Sequence, residues 1–272
     1  MVNSLHIQIR GQGTPILCLH GHPGNSQAMD VFTDHLSQNY QTISPDLRGY
    51  GKSKPGGNFQ MLDHLEDLTQ LLDQQGIGEC LILGWSLGGI LGLELALQLP
   101  QRVKGLILVA TAARPRGSHP AISWQDNLYT GMAALINLVS PGWQWNIDTF
   151  GKRSLFRYLI QQHTPESYQW IAKAAVPAYL QTTPEANQAL HKALRQGYNR
   201  LPQLADLTCP CLVLAGADDR HITSASSLET AEHLPQSQSH CYPQTAHLFP
   251  WEIAPVVLRD IDQWLAANFP KI

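Results

Sequence analysis

Leu81-Ile82-Leu83-Gly84-Trp85-Ser86-Leu87-Gly88-Gly89-Ile90-Leu91 runs from a short apolar stretch through Gly-x-Ser-x-Gly into a glycine-dotted apolar segment. The spacing suits a sharp strand-to-helix turn. A serine at its apex has strained backbone angles and an exposed Oγ, and the flanking glycines let neighbouring backbone pass closely. The helix that follows would aim its positive N-terminus at developing negative charge. Alone, the same five residues also fit a serine N-cap at an ordinary helix start. The surroundings decide between the two.

On either side of this stretch, strand and helix signals alternate. Cys80 to Leu83 reads as the strand before the serine and Leu87 to Leu99 as the helix after it. Asn58 to Gln75 carries Met61, Leu62, Leu65, Leu68, Leu71 and Leu72 at helical spacing, and Val103 to Ala110 is another buried run. Further upstream, Leu5 to Arg10 alternates like a half-exposed strand and Pro15 to Leu19 is a continuous buried one. The latter ends in the glycine-rich loop His20-Gly21-His22-Pro23-Gly24, after which Ser26 is positioned to cap a helix reaching Leu36. Gln41 to Ser44 is a short strand feeding Pro45-Asp46-Leu47-Arg48-Gly49-Tyr50-Gly51-Lys52-Ser53. Such alternation implies right-handed βαβ units and a mainly parallel sheet.

From about Ala113 to Gln203 the alternation stops and the pattern is helical and rich in aromatics. Thr164-Pro165-Glu166 and Thr183-Pro184-Glu185 are helix starts, with threonine as cap and proline in the first turn. Strand signals return at Cys211 to Ala215 and Ser239 to Tyr242, with helices at Ser224 to Leu234 and Ile253 to Phe269. The expected organisation is a core of residues 1–112 and 204–272, with residues 113–203 inserted as a helical lid at one edge of the site.

A nucleophilic serine needs a base in hydrogen-bond reach and a group to orient that base. His247 sits in the loop Tyr242 to Glu252, between the last strand and the last helix. The acid is expected in Gly216-Ala217-Asp218-Asp219-Arg220-His221, where two adjacent aspartates compete. His20 and His22 resemble a short-spaced metal pair but lack a third ligand. Asp46 and Arg48 are expected to pair with each other, and His221 to be solvated. Most aromatics of the lid are expected to be packing residues.

These pieces together resemble the α/β-hydrolase superfamily over nearly the whole chain. His20-Gly21-His22 is similar to its oxyanion loop and Gly84-Trp85-Ser86-Leu87-Gly88-Gly89 to its nucleophile elbow. Asp46 to Ser53 resembles the loop after the next strand. Gly216-x-x-Asp219 resembles the acid turn, and His247 followed by Glu252 and Pro255 the histidine loop. The resemblance implies an α/β-hydrolase fold with a Ser86–His247–Asp219 triad. It also implies an oxyanion hole from the backbone N–H groups of His22 and Leu87. A serine at position 86 departs from the haloalkane dehalogenases and epoxide hydrolases of this superfamily, which carry aspartate there. The elbow is similar to that of pimeloyl-acyl-carrier-protein methyl ester esterases, although their oxyanion loop has tryptophan at the position of His22. The implied activity is hydrolysis of a carboxylic ester through an acyl-enzyme, without cofactor or metal. Rival activities on the same scaffold are C–C bond hydrolysis, cofactor-free perhydrolysis and non-catalytic ligand reception.

Bulk properties agree with a globular chain. It has 272 residues, 43% hydrophobic and 14% charged, and a net charge of −3 that argues against nucleic acid as a partner. Residues 113–203 carry nine basic and four acidic residues, against nine and seventeen elsewhere. A basic lid could steer an anionic acyl carrier protein. The N-terminal stretch shows no apolar signal region and no run could span a bilayer, so a cytoplasmic protein is expected. The five cysteines, four in strand-like contexts, are expected to be buried free thiols.

Overall fold

The computed structural model describes residues 5–54 and 56–270. Met1 to Ser4 of the expected N-terminal stretch, and the last two residues of the expected core, lie outside them. Seven strands form one sheet: β1 (Ile7–Arg10), β2 (Pro15–Leu19), β3 (Gln41–Pro45), β4 (Cys80–Trp85), β5 (Val103–Val109), β6 (Cys211–Gly216) and β7 (Ser237–Tyr242). Their spatial order is β1-β3-β2-β4-β5-β6-β7. β1 runs antiparallel to β3, and every other neighbouring pair is parallel.

The period-two side-chain alternation of the central strands sorts their residues onto two faces. Cys80 and Ile82 of β4, with Leu106 and Leu108 of β5, pack on one. Leu81 and Leu83, with Ile107 and Val109, pack on the other. Helices α1 (Asp30–Leu36), α2 (Asp63–Gln74) and α3 (Leu87–Gln98) follow strands β2, β3 and β4. α2 and α3 cover the first face through Leu68, Leu72, Ile90 and Leu91, while α1 covers the second through Phe32 and Leu36. Both faces of the inner strands are therefore sealed, which is why those strands read as unbroken apolar runs.

Between β5 and β6 the chain forms helices only: α4 (Trp124–Val139), α5 (Gln144–Thr149), α6 (Pro165–Trp170), α7 (Val176–Gln181) and α8 (Pro184–Arg195), with short 3-10 turns. A π-turn over Ile171–Ala175 joins α6 to α7. Arg200 N–H donates to Ala113 C=O at 2.8 Å where the segment leaves and rejoins the core. Thr183 N–H donates to Gly49 C=O at 2.9 Å, tying the start of α8 to the loop after β3. Thr164 and Thr183 cap α6 and α8 with proline in the first turn, as their sequences imply. After β6 come α9 (Ser224–His233), α10 (Phe249–Glu252) and α11 (Ala254–Asn268). Among the described residues no helix is long and apolar enough to cross a membrane.

Three local expectations are corrected. The helical segment begins as a 3-10 turn over Ser26–Met29 capped by Asn25, whose side chain accepts from Ala28 N–H at 3.1 Å, rather than by Ser26. Asp46 does not pair with Arg48. Its two oxygens accept from the backbone N–H groups of Ser26 (2.7 Å) and Lys52 (2.8 Å), so it joins two loops. Arg48 instead pairs with the buried Asp67, with Nε 2.7 Å from Oδ2. The cysteines are free, but only Cys18, Cys80 and Cys211 are buried. Cys241 is exposed because β7 is the sheet's edge strand and turns this residue outward.

Candidate active site

Ser86 occupies the junction of β4 and α3 with φ 54° and ψ −117°, a left-handed conformation that non-glycine residues rarely adopt. The turn is held from below: Ser86 N–H donates to Val109 C=O (2.9 Å), and the Thr111 hydroxyl donates to Ser86 C=O (2.7 Å). The glycines are sterically required. A Cβ at Gly88 would lie 2.0 Å from the Leu19 carbonyl oxygen, and one at Gly84 2.3 Å from that of Gly88. Ser86 stands at the N-cap position, yet its side chain makes no capping hydrogen bond. Its hydroxyl is not spent on helix stability.

His247 and Asp219 meet as the sequence expected. His247 Nδ1 lies 2.8 Å from Asp219 Oδ2, with both side chains almost fully buried. Asp219 Oδ1 accepts from the backbone N–H groups of His221 (2.7 Å) and Ile222 (3.0 Å), which fixes the carboxylate. Asp218 is exposed and contributes its backbone N–H to Thr245 C=O (2.9 Å). His247 Nε2 is buried and has no hydrogen-bond partner, so the imidazole is oriented on one side and open on the other. Trp85, next to the serine, packs its ring 5.7 Å from that of His247. A serine–imidazole hydrogen bond is not closed here, as is common without substrate.

Glu252 explains the reach of the histidine loop, a role sequence reasoning did not foresee. One carboxylate oxygen accepts from Ala246 N–H (3.0 Å), beside His247. The other accepts from Gln161 and Gln162 N–H (2.9 and 2.5 Å) in the helical segment. Leu248 N–H adds a bond to Leu159 C=O at 2.8 Å. Trp251 completes the joint, stacked 4.1 Å from Trp170 and edge-on to Trp85 at 4.8 Å. The only sequence signal was an acid five residues after the histidine.

The loop after β2 carries the two histidines read as a possible metal pair. His20 is buried with its Nδ1 2.8 Å from Gly21 C=O, while its Nε2 accepts from Leu47 N–H at 3.0 Å. Neither nitrogen is left for a metal, and burial lowers its pKa to about 4. His22 Nδ1 lies 2.8 Å from the Tyr50 hydroxyl. Burial, then the nearby His191 and His20, lower its pKa to about 4 as well. Both rings are therefore neutral near pH 7 and serve to fix the loop. Among the described residues no cluster of three or more His, Cys, Asp or Glu could hold a metal ion. The His22–Pro23 peptide bond is cis. Gly21 packs against the elbow: a Cβ there would meet the Trp85 ring at 2.9 Å. This contact brings the backbone at His22 beside the N-terminus of α3, where Leu87 N–H has no intrahelical acceptor.

A cavity of about 150 Å³ opens over Ser86 and Leu87. Its apolar walls include Ile90 from the core and Leu190 and Leu194, one turn apart on α8; His22 and His221 also line it. His221 is exposed, as expected, but it also has imidazole neighbours. Its ring lies 4.7 Å from that of His247, and Nδ1 is 3.3 Å from His119 Nε2. Desolvation in the cleft, then the neighbouring imidazoles, hold its pKa well below the ordinary value. Of the lid aromatics, none lines this cavity.

The pattern of the α/β hydrolase fold matches residues 14–139. A pimeloyl-acyl-carrier-protein methyl ester esterase of Pectobacterium atrosepticum is 30% identical over 249 residues, covering 90% of this chain and 91% of the relative. Its counterpart in Nitrosomonas europaea is 28% identical over 250 residues, covering 90% and 92%. Among solved structures, a thermophilic esterase from Thermogutta terrifontis superimposes with a TM-score of 0.71 at 26% identity, covering 97% of this chain and 93% of that one. The serine elbow, the sheet order and these near-full-length matches make this chain a member of the α/β-hydrolase fold family, on its carboxylic ester hydrolase branch.

Proposed function

We propose that Ser86 is the nucleophile, His247 the base and Asp219 the orienting acid of an esterase acting on esters of small alcohols, methyl esters first. One observation carries this reading: the buried 2.8 Å Asp219–His247 contact leaves Nε2 unpartnered, while Ser86 is held at positive φ by an elbow that needs its glycines. Ser86 Oγ attacks the ester carbonyl as His247 Nε2 takes its proton. The backbone N–H groups of His22 and Leu87 receive the oxyanion, a donor pair of which each member is worth roughly 3–4 kcal/mol. The tetrahedral species expels the alcohol, protonated by His247, and water attacks the acyl-enzyme by the same route.

The cavity's 150 Å³ lies well below the roughly 300–1,000 Å³ of sites that enclose a whole ligand. It suits one small end of an ester. Its apolar walls and neutral imidazoles favour an uncharged group. Residues 113–203 act as the lid over this end. The longer acyl portion extends outward, as a carrier-linked chain would, and the named activity of the relatives supports that substrate class. The lid's charge favours a carrier less strongly than its composition. Arg114, Arg116, Lys152, Arg157 and Arg200 already pair with acids. Arg153, Lys173, Lys192 and Arg195 are the lid cations without a carboxylate partner among the described residues, and they form the docking charge in this reading. The same reading places the protein in the cytoplasm, where its five free thiols stay reduced.

An ester panel varying alcohol size and acyl length, free and carrier-linked, tests this. Methyl esters should exceed butyl esters in kcat/KM, and carrier-linked turnover should fall steeply with salt. Turnover of vinylogous diketones with inert esters would assign the scaffold to C–C hydrolysis. Absence of a fluorophosphonate adduct on Ser86 would remove the enzyme reading altogether.

A further inference from the structure

We infer that Asn187 of α8 is a positioning residue for the oxyanion donor: it holds the His22 imidazole in a closed circuit of hydrogen bonds and so aims the backbone N–H of that residue. The inference rests on the oxyanion role proposed above for His22. The loop on either side of His22 is tied to the core. His20 Nε2 accepts from Leu47 N–H at 3.0 Å, and Ser26 N–H donates to Asp46 at 2.7 Å. His22 itself is gripped by its side chain. Its Nδ1 lies 2.8 Å from the Tyr50 hydroxyl, and Asn187 hydrogen-bonds the same ring from α8. The His191 ring, one turn further along α8, meets it edge-on at 6.0 Å. Positions 187, 190, 191 and 194 share one face of the helix. The face that walls the cavity with Leu190 and Leu194 therefore also reaches the oxyanion loop.

The proton positions follow from the partners. Burial pushes the Tyr50 pKa up, so its hydroxyl keeps its proton and donates to Nδ1. The proton of the neutral ring then sits on Nε2 and is donated to Asn187 Oδ1, a contact that favours a protonated ring nitrogen. Asn187 Nδ2 donates in turn to Thr183 C=O (3.1 Å), and Thr183 N–H to Gly49 C=O (2.9 Å), one residue before Tyr50. The circuit closes there. Glycine at 49 permits the approach, because a Cβ would lie 2.9 Å from Ala186 Cβ and 3.0 Å from Thr183 Oγ1. Oxyanion loop, loop after β3 and start of α8 are thus joined by one set of bonds in which each member orients the next. An oxyanion donor is effective only when it is aimed before charge develops, and releasing the His22 ring releases the N–H on the same residue.

Asn187→Leu, similar in size but without the amide, should lower kcat on a small ester about 10- to 100-fold, less than the loss of a whole donor, with KM within about twofold. Affinity for a boronic acid that mimics the tetrahedral oxyanion should fall by the same factor. Tyr50→Phe should cost as much, and the double variant no more than either alone, because both cut one circuit. Asn187→Asp, which keeps an acceptor for Nε2–H, should stay within about threefold of the unaltered chain. Nitrogen-15 NMR at pH 7 should find the His22 proton on Nε2, exchanging faster in Asn187→Leu. Unchanged kcat in both single variants, losses confined to KM, additive losses, or a His22 proton on Nδ1 would each overturn the inference. Absence of a fluorophosphonate adduct would instead remove the esterase reading beneath it, on which the tautomer measurement does not depend.

Discussion

Helices α3 and α4 are both rich in apolar residues and use them in opposite ways. α3 buries ten of its twelve residues, and its Gly88 and Gly89 admit the Leu19 backbone and the Thr111 side chain. α4 buries small and polar residues and leaves its large apolar ones outside. α3 is placed by close backbone contact. α4 is placed by hydrogen bonds, among them Asn137 Nδ2 to Ala172 C=O (2.5 Å) and Asn146 Nδ2 to Ala133 C=O (2.9 Å). Apolar content alone thus says little about which way a helix faces. The elbow that α3 opens therefore tolerates no added atom, while α4 is held in place mainly by side-chain hydrogen bonds.

The comparison breaks first, if it breaks, at Ser86. Ser86→Ala should lower kcat by roughly 10⁶-fold with the unfolding midpoint unchanged; a collapsed midpoint would make the serine structural. Asp219→Asn should cost about 10⁴-fold in kcat, whereas Asp218→Asn should stay within a factor of about two, and a reversed ranking would move the acid by one residue. Gly88→Ala should destabilise by more than about 3 kcal/mol in chemical denaturation, because the new methyl would overlap the Leu19 carbonyl. Gly76→Ala, in open space at φ 65°, should cost only about 1 kcal/mol.

A further effect is set by pH and belongs to the core. Burial holds His20 at about 4 and His64 at about 3, below the ordinary 6.5. Both stay neutral in the fold and take up a proton on unfolding. Their stabilisation is complete above pH 6.5 and is lost as pH falls from there through their folded values, each contributing up to about 1.4 kcal/mol per pH unit. Denaturant titrations between pH 7 and 4.5 should show that decline, and His64→Gln should flatten it.

Much of this was legible in the chain. The elbow, acid turn and histidine loop are local signals, each written in fewer than a dozen consecutive residues, and the parallel sheet is read from the alternation of strand and helix signals. Thr164 and Thr183 were readable as caps for the same reason. What escaped depends on contacts between distant segments. Asp46 reads as a partner for Arg48 two residues away, but the fold brings the Ser26 N–H to it and Asp67 to the arginine. Counting lid charges missed that five of the nine cations are already paired. The contact of the exposed His221 with His119, about a hundred residues earlier, escaped because nothing in its own loop announces it.

Glu252 has a consequence for timing. By grasping the backbone beside His247 with one oxygen and that of Gln161 and Gln162 with the other, it joins the histidine loop and the helical segment. A ligand that lifts the segment near this joint also pulls on the imidazole. At the far side, the backbone bond from Thr183 to Gly49 ties the start of α8 to the loop after β3. In the proposed mechanism the proton carrier and the lid are thereby coupled, so displacing one disturbs the other.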